Sequence, residues 1–202
     1  MEKLAGYGLM TPEGTRLVEE FHWIESGRGE SVVLLHGLLG APDHWEATLA
    51  ALSRGWRGLA LRLPIFDLPA DDLSIRRLAT HVREFLDAQR IAPAVVVGNA
   101  LGGHVALDLA LRHPDRVRAL VLTGSSGLLE RSFSGEVPHR PSEAHVRSAK
   151  HENLEERLGE VRCPTRFVPN CGHAPMLGQP AAFAEHVTEF LDTLPGLPTS
   201  VA

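Results

Sequence analysis

The sequence predicts an α/β fold: a doubly wound, mostly parallel sheet with helices on both faces. Apolar runs of strand length alternate along the chain with amphipathic runs of helix length, the order that winds a parallel sheet. Most of the strand-length runs are continuously apolar, as in Ser31-Val32-Val33-Leu34-Leu35, and that is the pattern of strands covered from both sides. One of them, at 94–97, passes through a glycine-rich turn straight into a helical pattern.

Taken in order, residues 15–24 alternate apolar with polar and read as an edge strand. The buried run 31–35 ends at His36-Gly37-Leu38-Leu39-Gly40, after which Asp43 is the expected cap of a helix carrying Trp45, Leu49 and Leu52. Residues 56–63 form a strand stopped by Pro64, which has no N–H for a sheet ladder. Leu78, Val82 and Phe85 put one apolar face on a helix over 74–89. The strand 94–97 breaks at Gly98-Asn99-Ala100-Leu101-Gly102-Gly103 and leads to a helix over 103–112. Residues 117–123 make another buried strand. After a proline-punctuated stretch come one helical pattern at 142–158, a strand at 165–169 and a last helix at 181–194. Trp23, Trp45 and Trp56 are expected to pack under the sheet. No repeat, low-complexity tract or linker interrupts the pattern, so 1–202 reads as one domain.

Charge and composition exclude several function classes. Twenty Lys and Arg against 25 Asp and Glu give a net charge of −5 with no basic block, which excludes a row of phosphates and therefore nucleic acid as a partner. The most apolar stretch, 91–111, is broken by Pro93, Asn99, His104 and Asp108 and does not read as a bilayer span. The start lacks an apolar leader, so no secretory signal is expected. Two cysteines, Cys163 and Cys171, make no disulfide framework and suit a reducing cytoplasm. Among the 11 histidines no H-E-x-x-H or paired-cysteine spacing occurs, so neither a metal nor another cofactor is expected, although His36, His104 and His173 can all approach the central turn. The expected partner is a small-molecule substrate or ligand.

The chemistry concentrates at 98–103. A G-x-x-x-G-G turn between a buried strand and a helix needs small residues because the two backbones approach closely, and it forces its central residue, Ala100, into a strained corner at the carboxyl edge of the sheet. The helix behind aims amides and the positive end of its dipole at whatever lies above Ala100. A phosphate-binding or purely packing turn is the competing reading, but the G-x-G-x-x-G spacing is not met. Two other strand ends add to it. The backbone N–H of Leu38, after His36-Gly37, can donate to a developing oxyanion opposite that of Leu101. His173, in Asn170-Cys171-Gly172-His173-Ala174-Pro175, can act as a general base.

Together these three segments resemble the α/β-hydrolase fold family, in its branch of capped esterases and carbon–carbon bond (meta-cleavage product) hydrolases, whose turn reads G-N-S-x-G-G. The resemblance covers about 15–194. It implies that Ala100 stands at the nucleophile position, His173 at the general base, and Leu38 and Leu101 at the oxyanion amides. His36, Gly37, Gly98, Asn99, Gly102 and Gly103 then form the scaffold of the turn and site. It implies small hydrophobic esters or diketones as substrates.

Three departures from the family pattern bear on activity. Ala100 carries no oxygen to acylate, which closes the covalent route. Cys163-Pro164-Thr165 joins directly to Arg166-Phe167-Val168-Pro169, without the strand, loop and helix that would carry the acid of a triad. Glu130 is the candidate substitute. Finally, only 35 residues, 128–162, stand where the family has a multi-helix cap, which is expected to leave the pocket open to water. A lost strand also exposes a sheet edge, through which a homodimer can form. Three functional readings follow: a hydrolase inactive as written whose serine-bearing parent is active, a non-catalytic small-molecule binding protein, or a pared-down version of the fold.

Overall fold

Among the described residues seven strands, β1 (Glu2–Gly6), β2 (Phe21–Ser26), β3 (Glu30–Leu35), β4 (Trp56–Leu61), β5 (Ala94–Asn99), β6 (Val117–Thr123) and β7 (Thr165–Phe167), form one sheet in the order β1-β2-β4-β3-β5-β6-β7. The computed structural model describes residues 2–6, 21–69, 71–124, 154–168 and 173–195. From β4 to β7 neighbouring strands are parallel, and β2 runs antiparallel to both β1 and β4. The helices are α1 (Glu46–Leu52), α2 (Ile75–Ala88), α3 (Leu101–Arg112), α4 (Pro175–Gly178) and α5 (Pro180–Asp192).

After β3 the chain steps outward to β4 through α1, then returns past β3 to β5 through α2 and on to β6 through α3. Right-handed crossovers in opposite directions put their helices on opposite faces. Accordingly Trp45, Leu49 and Leu52 pack with Phe183, Val187 and Leu191 of α5 on one face. Leu78, Val82 and Phe85 of α2 pack with Val105 and Leu109 of α3 on the other. The reversal of direction lies between β3 and β5, and the carboxyl ends of strands at such a switch point are where open α/β sheets form their crevice. The doubly wound class predicted from the sequence is therefore the one observed.

Several boundaries differ, each for a local reason. β1 was not anticipated, because Glu-Lys-Leu-Ala-Gly shows no alternation and is recruited by antiparallel pairing with β2. β2 covers Phe21–Ser26 and so runs two residues past the expected end at 24, its register set by Trp23 opposite Leu61 on β4; residues 15–20 lie outside the described part. Asp43 is not a cap. Pro42 opens a short 3₁₀ turn, Pro42–Trp45, whose N-cap is Ala41, and Asp43 sits in its first turn; the preset φ of proline suits that first position. α3 begins at Leu101, two residues before the expected 103. The helix expected at 181–194 is α5, Pro180–Asp192, and a short helix not anticipated, α4, precedes it; Pro180, which lacks an N–H, separates the two. Of the pattern at 142–158, the described residues show a 3₁₀ helix, Glu155–Glu160. Within 128–162, residues 128–153 lie outside the described residues, Glu130 among them, as does Cys171. Trp23, Trp45 and Trp56 are all buried in the layers against the sheet.

Candidate active site

Ala100 is the corner between β5 and α3. Its φ of 51° and ψ of −115° lie where L-residues with a Cβ are strained. The corner is held from both sides. A Cβ on Gly98 would stand 2.5 Å from the Gly102 carbonyl oxygen and from Gly103 Cα, and one on Gly102 would collide with the Leu35 carbonyl oxygen. Only glycine permits this approach of helix to strands. The amide of Ala100 donates to the Thr123 carbonyl at 2.9 Å, while its own carbonyl accepts from Gly103 N at 3.1 Å and His104 N at 3.2 Å. Those two bonds start the helix at Leu101, whose amide belongs to the first turn and has no carbonyl within the helix to donate to. Ala100 itself is only 2% exposed.

The loop after β3 abuts this corner. A Cβ on Gly37 would lie 3.2 Å from Ala100 Cβ. Gly40 N donates to Gly37 O at 3.0 Å and closes a turn that carries Leu38 and Leu39. His36 fastens the same loop to the end of β4: its Nε2 accepts from Leu63 N at 3.0 Å, which leaves Nδ1 as the protonated nitrogen, 2.8 Å from the Gly37 carbonyl it donates to. Burial pushes this imidazole down to about 4, with the Gly37 hydrogen bond only partly opposing that, so near neutral pH the ring is uncharged. His36 thus positions the Leu38 turn and is not poised for proton transfer.

Asn99 joins the corner to the His173 loop. Its Nδ2 donates to Thr123 O at 3.2 Å and to His173 O at 2.6 Å. Gly124 packs against the same loop, since a Cβ there would lie 2.9 Å from His173 O. β7 lies directly beside β6, and the chain reaches His173 six residues after Phe167. The His173 side chain is exposed.

One sheet edge therefore gathers Gly37, Leu38, Gly98, Asn99, Ala100, Leu101, Gly102, Gly103 and the His173 backbone. His104 contributes its backbone amide there, and its ring is buried. No group of three or more His, Cys, Asp or Glu placed to hold a metal occurs among the described residues. Sequence reasoning missed two participants, Thr123 and Leu63, because both act through backbone groups that any residue type supplies.

A family model for the alpha/beta hydrolase fold matches residues 30–145, more than half of the chain. The chain is 51% identical over 110 residues to a 2-hydroxymuconate semialdehyde hydrolase of Pseudomonas putida, a match covering 52% of this chain and 39% of that protein. It is 35% identical over 142 residues to a pimeloyl-[acyl-carrier protein] methyl ester esterase of Vibrio vulnificus (strain CMCP6), covering 68% of this chain and 51% of that one. It thus spans about two fifths to one half of these curated relatives. Among solved structures, an alpha/beta hydrolase enzyme from the metagenome of sediments of the Mar Chica lagoon, Morocco, superposes with a TM-score of 0.73 at 24% identity over 89% of this chain and 98% of that one. By its family match and the fold it shares, this chain belongs to the α/β-hydrolase fold family.

Proposed function

We propose that the chain carries the mount of an esterase or carbon–carbon bond hydrolase for small hydrophobic ester or diketone substrates, and that with alanine at position 100 it does not turn over efficiently. The observation that carries this reading is the left-handed Ala100 corner at the sheet's switch point, tied through Asn99 to the loop of His173. In this reading the Leu38 and Leu101 amides receive the negative charge that develops on a substrate carbonyl oxygen. His173 takes the proton of an attacking hydroxyl and returns it to the leaving group. Glu130 is the low-ranked candidate to orient that imidazole. The names of the relatives, a semialdehyde hydrolase and a methyl ester esterase, support the substrate class. Removing members of such a machinery leaves roughly 10³–10⁴-fold acceleration over water from the oxyanion donors and binding alone, so feeble hydrolysis fits and robust turnover does not.

No cofactor enters the scheme. The reading also carries a cytoplasmic protein with no nucleic-acid or membrane partner, and a remnant cap at 128–162. No helix among the described residues is long and apolar enough to cross a membrane.

The test is hydrolysis of a short-chain activated ester by the chain as written and by Ala100→Ser. A burst or sustained hydrolysis only in the serine variant supports the reading; a silent, folded serine variant overturns it. The second reading, a binding protein that holds a carbonyl or carboxylate ligand on the same amides, is favoured by the absence of an oxygen at Ala100. Stoichiometric binding of a small acid or ester at Leu38 and Leu101 would select it.

A further inference from the structure

We propose that the chain has a second small-molecule site, for a small organic monocarboxylate, at the opposite edge of the sheet from Ala100. A cavity of about 200 Å³ lies at the amino ends of β6 and β7, beside the carboxyl end of α3. Val117 opens β6 and Thr123, the partner of the corner, closes it; at about 3.3 Å per strand residue, roughly 20 Å separate the cavity from the elbow. The two sites do not overlap.

The lining sets the ligand class. Ala110, Val117, Pro164 and Cys163 give an apolar wall, and Arg118 and Arg162 supply the charge. Arg118 is held in place by bonds from Nη1 to Glu30 Oε2 at 2.8 Å and from Nη2 to the Pro195 carbonyl at 2.6 Å. A guanidinium has five N–H donors, so three remain. Arg162 is exposed and has no ion-pair partner among the described residues. Two guanidiniums against one carboxylate, Glu30, leave one positive charge beside an apolar wall. That balance fits an anion of one negative charge attached to an apolar body, and it disfavours inorganic phosphate, which brings more charge and no apolar surface. Arginine forks match a planar carboxylate in two hydrogen bonds, while a half-open pocket of this volume suits a body of about the size of a single ring, below the usual range for drug-sized ligands.

The experiment titrates the intact chain with benzoate, benzamide and inorganic phosphate while following backbone amide resonances. Saturable benzoate shifts centred on Val117, Arg118 and Cys163, with benzamide and phosphate binding roughly tenfold more weakly or not at all, are the expected result. Arg162→Ala, at an exposed position that leaves the fold intact, should weaken benzoate roughly tenfold, and Arg162→Lys should recover part of the loss. Equal binding of benzamide and benzoate, phosphate binding as tightly as benzoate, shifts centred instead on Leu38 and Leu101, or no saturable shift at all would each overturn the proposal.

Discussion

The side-chain amide of Asn99 donates to the backbone carbonyl of His173 at 2.6 Å across 74 residues of sequence. The same Nδ2 also reaches Thr123 O, which already accepts from Ala100 N. One buried amide therefore ties the β5 corner, the end of β6 and the histidine loop together. Removing it takes this donor from the His173 carbonyl, while Thr123 O keeps the Ala100 amide, at a cost of about 1–3 kcal/mol. Asn99→Ala should lose about that much stability in urea unfolding and speed amide exchange around 173. Asn99→Asp keeps the shape but sets an acceptor against two carbonyls, so it should be worse than alanine. If both variants match the wild type, the tether contributes nothing.

Ala100 keeps the strained corner with no hydroxyl to use it. A Cβ at φ 51° costs on the order of 1–3 kcal/mol, and glycine relieves that strain at the expense of about 0.5–1 kcal/mol of unfolded-state entropy. Ala100→Gly is therefore expected to stabilise the chain by about 1 kcal/mol. The urea midpoint measures it, and a drop in stability would show that the corner is not strained.

Two buried imidazoles, His36 and His81, are held at about 4, against 6.5 for a free histidine, in each case chiefly by burial. The folded chain favours the neutral rings, while the unfolded chain gains protons as pH falls through 6.5. Their stabilisation is fully present above pH 6.5 and is lost between 6.5 and about 4, by roughly 3 kcal/mol for each ring. Urea midpoints followed over that interval should fall steeply. His81→Leu, which keeps an apolar contact where the ring meets Phe21 at 4.9 Å, should remove about half of the decline. A flat profile contradicts the burial argument.

β7 is the last strand of the sheet and only three residues long, with Phe167 47% exposed and Arg166 lying over the Phe190 ring at 5.7 Å. An edge that pairs with no further strand among the described residues, and carries an exposed aromatic, favours pairing with a second copy, and its short length and charge limit it. Light scattering at high concentration should detect reversible dimers, and Phe167→Lys should abolish them. Strictly monomeric behaviour at the highest concentrations counts against the edge.

The sheet was legible where burial on both faces left an apolar run, as in β3, β5 and β6, since that pattern follows from local composition alone. The corner was legible because Gly98 and Gly102 are required by a backbone approach that no other residue allows. What the sequence did not disclose depends on distant partners. β1 exists by pairing with β2, the bond from Leu63 N to His36 involves an amide without identity, and the reach of Asn99 to His173 arises only once β5, β6 and β7 lie side by side. Asp43 misled because proline at 42 set the helix start two residues earlier than a cap at 43 would. The acid assigned to Glu130 lies outside the described residues.

The most direct measurement is intact-mass and peptide mapping after treatment with an alkyl fluorophosphonate, which reacts only with an activated hydroxyl. The chain as written should take no label, Ala100→Ser should take one adduct at residue 100, and Ala100→Ser combined with His173→Ala should lose it. A folded Ala100→Ser chain that stays unlabelled, or labels at any other residue, would contradict the assignment of this corner as a nucleophile's mount.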